Sequence, residues 1–222
     1  MSILNRLLSQ CKRPSGAFGR VMARGMNRAH SPLTKWALGQ IEVADTAIVL
    51  DIGCGGGRTV DRLANMAVNG WVVGLDCSED SVLVSRRKNS KHIHNGRAEI
   101  CHASVSSIPY DDETFDLVTA VETFYFWPTP NTDLLEVKRV LKPGGQLLIA
   151  CTMYKGGKYD KRNQRFVDEI NMTYLSVDEF QALLTSTGFD RVQAVVDYDR
   201  GWICATARKS ELSSIVDHES RT

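Results

Sequence analysis

The stretch Val49 to Val60, VLDIGCGGGRTV, decides the fold. It opens as an apolar run carrying one acid, Asp51, and then breaks into glycines at positions 53, 55, 56 and 57. Helical spacing resumes from about Arg58. A strand, a glycine turn and a helix in that order form the first unit of an α/β sheet. The glycines let the backbone turn tightly and let a ligand approach where a Cβ would clash. The first N–H groups of the helix that follows favour an anion.

Working outward from this turn, short apolar strands alternate with helical stretches. AIVLDI, WVVGLD, AEICHA, FDLVTAV and KPGGQLLIAC read as strands, and the segments between several of them carry apolar residues at helical spacing. Ser176 and Glu179 stand at capping-box spacing, and Gly188 supplies the helix stop. RVQAVVDY and GWICATA follow, joined by a link too short for a crossover, so they pair antiparallel. The expected fold is α/β: a doubly wound, mostly parallel, seven-stranded Rossmann-like sheet with its last strand antiparallel, preceded by an N-terminal helical segment. The expected division is a helical lid over residues 1–44, one domain over 45–208 and a polar tail over 209–222. In such a sheet, chemistry belongs at the carboxyl ends of the strands.

Composition narrows the options. At 222 residues the chain fits one domain, and 43% hydrophobic with 24% charged residues is an ordinary globular balance. A net charge of +1 does not point to nucleic acid as partner. No apolar run approaches the length of a membrane span, and the N-terminus lacks a secretory signal, so the expected location is cytoplasmic. The cysteines at 11, 54, 77, 101, 151 and 204 form no C-x-x-C pair, so reduced packing thiols are expected and no metal site.

The glycine spacing argues against a dinucleotide. Its fingerprint is G-x-G-x-x-G, whereas Gly53, Gly55 and Gly57 give G-x-G-x-G. A carboxylate beside a pyrophosphate would also cost a few kcal/mol at an effective dielectric of about 20. A ligand with an ammonium, a sulfonium and one carboxylate suits the stretch better. Its carboxylate would lie toward the glycine N–H groups while Asp51 complements its cationic end. S-adenosylmethionine is such a ligand. Asp76, ending the second strand, stands where an acid accepts from ribose hydroxyls.

VLDIGCGGG, VVGLDCS, SIPYDDETFDLVTAVE and EVKRVLKPGGQLLI, in this order, resemble the class I S-adenosylmethionine-dependent methyltransferases, in particular their small-molecule-type domain family. The resemblance implies that Asp51, Gly53, Cys54 and Gly55 hold the methionyl part and Asp76 the ribose. Ser104 and Val105 would lie beside adenine, and Cys77 would pack along its face. Many relatives carry Asp at the position of Ser104; a serine accepts without charge. The product would be S-adenosylhomocysteine.

The acceptor side is read from VETFYFWPTP, after the fourth strand. Glu122 would orient an acceptor, take its proton or contact the cofactor, and Tyr125 would line the pocket. Glu122-Thr123-Phe124-Tyr125 departs from the (Asp/Asn)-Pro-Pro-(Tyr/Phe) motif of adenine- and glutamine-methylating relatives. His30 would serve as a base near neutral pH. The long connection from Thr152 to Tyr174, rich in Lys and Arg, reads as a loop covering the site or as a solvated face. The expected reaction moves a methyl group to an O, N, S or C nucleophile of a small molecule. Two other readings stay open: an RNA methyltransferase, and a cofactor-binding protein without catalysis. The oligomeric state is not encoded in any motif.

Overall fold

The computed structural model describes residues 28–170 and 172–211, together with residues 16, 19, 21 and 25. Most of the expected lid segment before residue 28, and the tail beyond 211, lie outside the described residues. The described elements are α1 (Ser31–Leu38), β1 (Ile48–Ile52), α2 (Arg58–Met66), β2 (Trp71–Asp76), α3 (Glu79–Lys88), α4 (Ser90–His94), β3 (Ala98–His102), β4 (Phe115–Val121), a 3₁₀ turn (Phe124–Phe126), α5 (Pro130–Val140), β5 (Leu141–Cys151), α6 (Asp160–Ile170), α7 (Val177–Ser186), β6 (Phe189–Asp197) and β7 (Trp202–Lys209).

The strands form one sheet in the order β3-β2-β1-β4-β5-β7-β6. The first five are mutually parallel, and β7 runs antiparallel to both β5 and β6. Helical crossovers make the parallel part. The turn between β6 and β7 is too short to cross, so β7 doubles back and enters the sheet beside β5. The expected architecture, including the antiparallel last strand, is the observed one.

Alternation along the strands builds two cores. Leu50, Val73, Val118 and Leu147 face one side with Phe115, Leu134 and Phe180. Val49, Val72, Leu117 and Leu148 face the other with Val60, Leu63 and the α1 residues Leu33, Ala37 and Leu38. Each buried leucine contributes about 1.5–3 kcal/mol. This second face matters for the site. By alternation Asp51, Thr119 and Thr152 continue the rows of Val49, Leu117 and Leu148, so α1 lies over the row that reaches the rim.

One local expectation is corrected, and two local details are added. The segment 152–174 is not a loop: it contains α6. Residues 90–94 form the short α4. Helix α1 has His30 at its N-cap and Ser31 as its first residue. Ser31 is drawn inside because its carbonyl accepts from Arg62 at 2.7 Å and its hydroxyl meets Arg58 at 3.3 Å. Among the described residues no helix is long and apolar enough to cross a membrane, and no His, Cys, Asp and Glu cluster could hold a metal.

Candidate active site

The glycine turn is sewn to the end of β2. The N–H groups of Gly53 and Cys54 both donate to the Leu75 carbonyl, at 2.7 and 3.0 Å, and Gly57 donates to Cys54 at 2.8 Å. Gly55 donates to Asp76 Oδ2 at 2.8 Å. Most of the amide donors expected to face an anionic ligand are therefore committed within the protein. The turn offers room instead. Gly53 and Gly55 both take positive φ, +69° and +53°. A Cβ on Gly53 would run into the Thr123 side chain, whereas one on Gly55 would meet nothing nearer than the Gly53 carbonyl oxygen, 4.0 Å away, with space beyond. Gly53 lets the turn close onto the post-β4 segment, and Gly55 leaves the space a ligand needs.

Two acids stand under this turn. Asp51 is buried, and its Oδ1 accepts from Thr119 at 2.8 Å, a pair aligned by the β1–β4 register. Asp51 Oδ2 has no partner among the described residues. Burial lifts the Asp51 carboxyl from 3.8 to about 7; the Thr119 bond works against this and the neighbouring Asp76 adds to it. Asp76 is also buried and raised by desolvation, opposed by the N–H groups of Ser78 and Gly55. Its Oδ1 accepts from Ser78 at 2.9 Å, so the same carboxylate anchors the start of α3 and the glycine turn.

The other expected cofactor residues divide. The Cys54 thiol points away from the rim and reaches Ser85 at 3.7 Å, so its part in the turn is played by its backbone. Burial holds that thiol well above its ordinary range. Cys77 is exposed, and its carbonyl is within 3.0 Å of His102 Nε2. Ser104 and Ser107 form a small bridge, while the Val105 side chain enters the core. Sequence reasoning missed what holds this turn. Asp133, buried on α5, accepts from Ser106 Oγ at 2.6 Å and from the Thr129 N–H at 2.8 Å.

The expected acceptor-side residues come together. Glu122 follows β4 in a left-handed conformation, φ +60°, and its N–H donates to Ala150 at 2.8 Å. This aims its side chain at the end of β5. There the carboxylate accepts from the Thr152 N–H and, at 2.9 Å, from the Thr152 hydroxyl. The Tyr125 phenol lies close enough to Glu122 to feel its charge, and His30 Nε2 lies 3.5 Å from Glu122 Oε2. Burial first, then the Glu122 charge, keep the Tyr125 phenol protonated far above its ordinary range. Thr152 had no signal in the sequence: only the β4–β5 pairing brings it to Glu122.

The aromatic run splits between roles. Phe124 and Trp127 are buried and stack at 5.1 Å, and Phe124 meets Phe180 at the same distance. They seal the core, while Phe126 stays half-buried beside Tyr125. The segment around α6 reaches this turn through Thr173, whose N–H donates to the Tyr125 carbonyl at 3.0 Å. Several of its cations have structural partners. Lys155 pairs with Glu179, Lys158 donates to the Asp199 carbonyl, and Arg162 lies over the Tyr159 ring.

Comparison with known proteins identifies the family. A family profile described as "Methyltransferase domain" matches residues 50–149, from β1 into β5. The 27-O-demethylrifamycin SV methyltransferase of Amycolatopsis mediterranei is 30% identical over 190 residues, which is 82% of this chain and 70% of that protein. The O-methyltransferase cnsE of Penicillium expansum is 28% identical, over 64% of this chain and 51% of its own length. This chain thus spans about half of the fungal relative. A SAM dependent methyltransferase from Aquifex aeolicus shares the fold, with a TM-score of 0.68 at 24% identity over 86% of this chain and 98% of that one. The chain belongs to the class I S-adenosylmethionine-dependent methyltransferases.

Proposed function

We propose that the protein transfers a methyl group from S-adenosylmethionine to a small-molecule acceptor. The observation that carries this reading is the pairing of an orphaned, buried acceptor atom, Asp51 Oδ2, with open space at Gly55 on the turn above it. A cationic amino-acid moiety fits that pair, and a pyrophosphate would be repelled by the two buried acids. Asp51, Gly53 and Gly55 would hold the methionyl part, with the Cys54 backbone shaping the turn. Asp76 keeps lone pairs for ribose hydroxyls, and Ser104, the Val105 N–H and Cys77 would border adenine. When bound, the sulfonium supplies an activated methyl group whose leaving group is a neutral thioether.

The protein's own contribution is then positioning and exclusion of water. Glu122, Tyr125 and His30 would form the acceptor-facing wall. Helix α1 and the segment around α6 would cover it, which makes the described part of the N-terminal region a lid element. The committed cations around α6 weigh against a basic RNA track, which favours a small acceptor. The two curated relatives are named for oxygen methylation, which supports oxygen as the acceptor atom. The free thiols at 54, 101, 151 and 204 suit a reducing compartment such as the cytoplasm.

The test is an acceptor screen that follows S-adenosylhomocysteine release. Gly55→Val, which fills the open space, should abolish release with every acceptor. Turnover by that variant equal to the parent's would contradict the reading.

A further inference from the structure

His30 reaches the rim from the N-cap of α1, remote in sequence from the two turns it meets. Capping does not account for its side chain, which makes no cap hydrogen bond. Glu122 is already engaged: Thr152 donates to it through both its N–H and its hydroxyl. It is also hidden, its side chain 6% exposed against 33% for His30. Held by Thr152 and hidden, the carboxylate is poorly placed to meet a substrate, and His30 stands between it and solvent. His30 places Nε2 toward Glu122 and leaves Nδ1 without a hydrogen-bond partner among the described residues.

We infer that His30 is the general base of the reaction, that Glu122 is the residue positioning its ring, and that the acceptor carries an un-ionised hydroxyl. Thr152 positions Glu122 in turn. The inference rests on the methyltransferase reading and names its acceptor class. The order is that of a base oriented by a carboxylate, itself fixed by neighbours. The charged surroundings are consistent with it. Arg58 and Arg62 of α2 are engaged with Ser31, next along α1. Behind Glu122, burial keeps the Cys151 thiol and the Tyr125 phenol protonated, so neither competes as a base.

In the step, a lone pair of the acceptor oxygen forms the new oxygen–carbon bond. The carbon–sulfur bond breaks, and its electron pair stays on sulfur. The hydroxyl proton passes to His30 Nδ1, and the imidazolium so formed directs its Nε2–H at Glu122. Solvent then removes the proton through the exposed edge of the ring. An acceptor that is already an anion gains nothing from this base, which is why the geometry selects a neutral hydroxyl.

The experiment uses the full chain with His30→Gln, His30→Asn and Glu122→Gln. S-adenosylhomocysteine affinity is measured first, by calorimetry. Methyl transfer is then followed to 4-ethylphenol, un-ionised at mildly alkaline pH, to 4-nitrophenol, largely ionised there, and to a panel of aliphatic alcohols and amines. Both His30 variants should bind S-adenosylhomocysteine as the parent does, lose about 10²–10⁴-fold in kcat on neutral hydroxyls with KM unchanged, and largely keep their rate on 4-nitrophenol. Glu122→Gln should show the same selectivity with a smaller loss. Equal losses on both phenols, no loss, methylation of amines alone, or no hydroxyl methylated by a parent that binds S-adenosylhomocysteine would each overturn the inference. A parent that binds no S-adenosylhomocysteine would instead remove the methyltransferase reading beneath it.

Discussion

The two halves of the rim are built differently. Around β1 and β2, the cofactor half is drawn from neighbouring elements: a turn of five residues, one acid on each of the first two strands, and amide bonds that join the turn to the end of β2. Around β4 and β5, the acceptor half is assembled at long range. It brings His30, Glu122 and Thr152 together from three distant segments. The contrast teaches that a fold can fix its cofactor chemistry on two adjacent strands and their turn while leaving acceptor choice to helices and connections laid across the top. Changes in the first half should abolish all reactions, and changes in the second should alter which reactions occur.

The largest expected effect sharpens the first half of that contrast. Gly53→Ala adds a side chain at φ +69° that also meets Thr123, so it should cost about 3 kcal/mol of stability, from left-handed strain and overpacking together. Gly55→Ala, strained but facing open space, should cost only about 1 kcal/mol. Denaturant midpoints of the two variants check this, and equal losses would deny the turn its two distinct roles.

Asp76→Ala comes next. It should weaken S-adenosylhomocysteine binding by on the order of 2 kcal/mol, or about 30-fold, through lost charge-assisted hydrogen bonds. Unchanged affinity would remove Asp76 from the site and leave it a helix-capping carboxylate.

Asp51 supplies a pH signature. Its carboxyl is raised from 3.8 to about 7 in the folded protein. The native state thus holds a proton that the unfolded state has lost, and stability should fall as pH climbs through this window. A cationic ligand favours the ionised form, so its affinity should move the other way, rising about five- to tenfold over the pH unit below 7. Asp51→Asn should flatten both trends. Parallel trends in stability and affinity would mean that the cation does not sit by Asp51.

The smallest effect belongs to the acceptor half. Thr152→Val removes one hydroxyl donor to Glu122 and should cost about 1 kcal/mol of stability with S-adenosylhomocysteine affinity intact. A loss of cofactor affinity in that variant would erase the separation between the halves.

What the sequence disclosed follows the same division. The sheet was legible because each strand is an apolar run bounded by glycine or an acid, and the capping box at Ser176 and Glu179 is present as spaced. Asp51 and Asp76 were legible because strand ends mark the rim. Their partners were not. Thr119 meets Asp51, and Thr152 meets Glu122, only through the alignment of neighbouring strands, and a lone threonine in a strand carries no sign of its partner. Helix α6 was hidden because DKRNQRFVDEI has few apolar residues to set a period. His30 was picked for its chemistry, but its approach to Glu122 depends on α1 packing over the sheet. The commitment of the Gly53, Cys54, Gly55 and Gly57 amides was not legible either: the turn uses those donors to hold itself together and to β2.

The most direct test of the central claim is calorimetric titration of the intact protein with S-adenosylmethionine and, separately, with NAD. S-adenosylmethionine should bind one-to-one with an affinity that Asp51→Asn and Asp76→Ala both reduce, and NAD should give no heat of binding. Binding of NAD at this turn, or no binding by S-adenosylmethionine, would contradict the account.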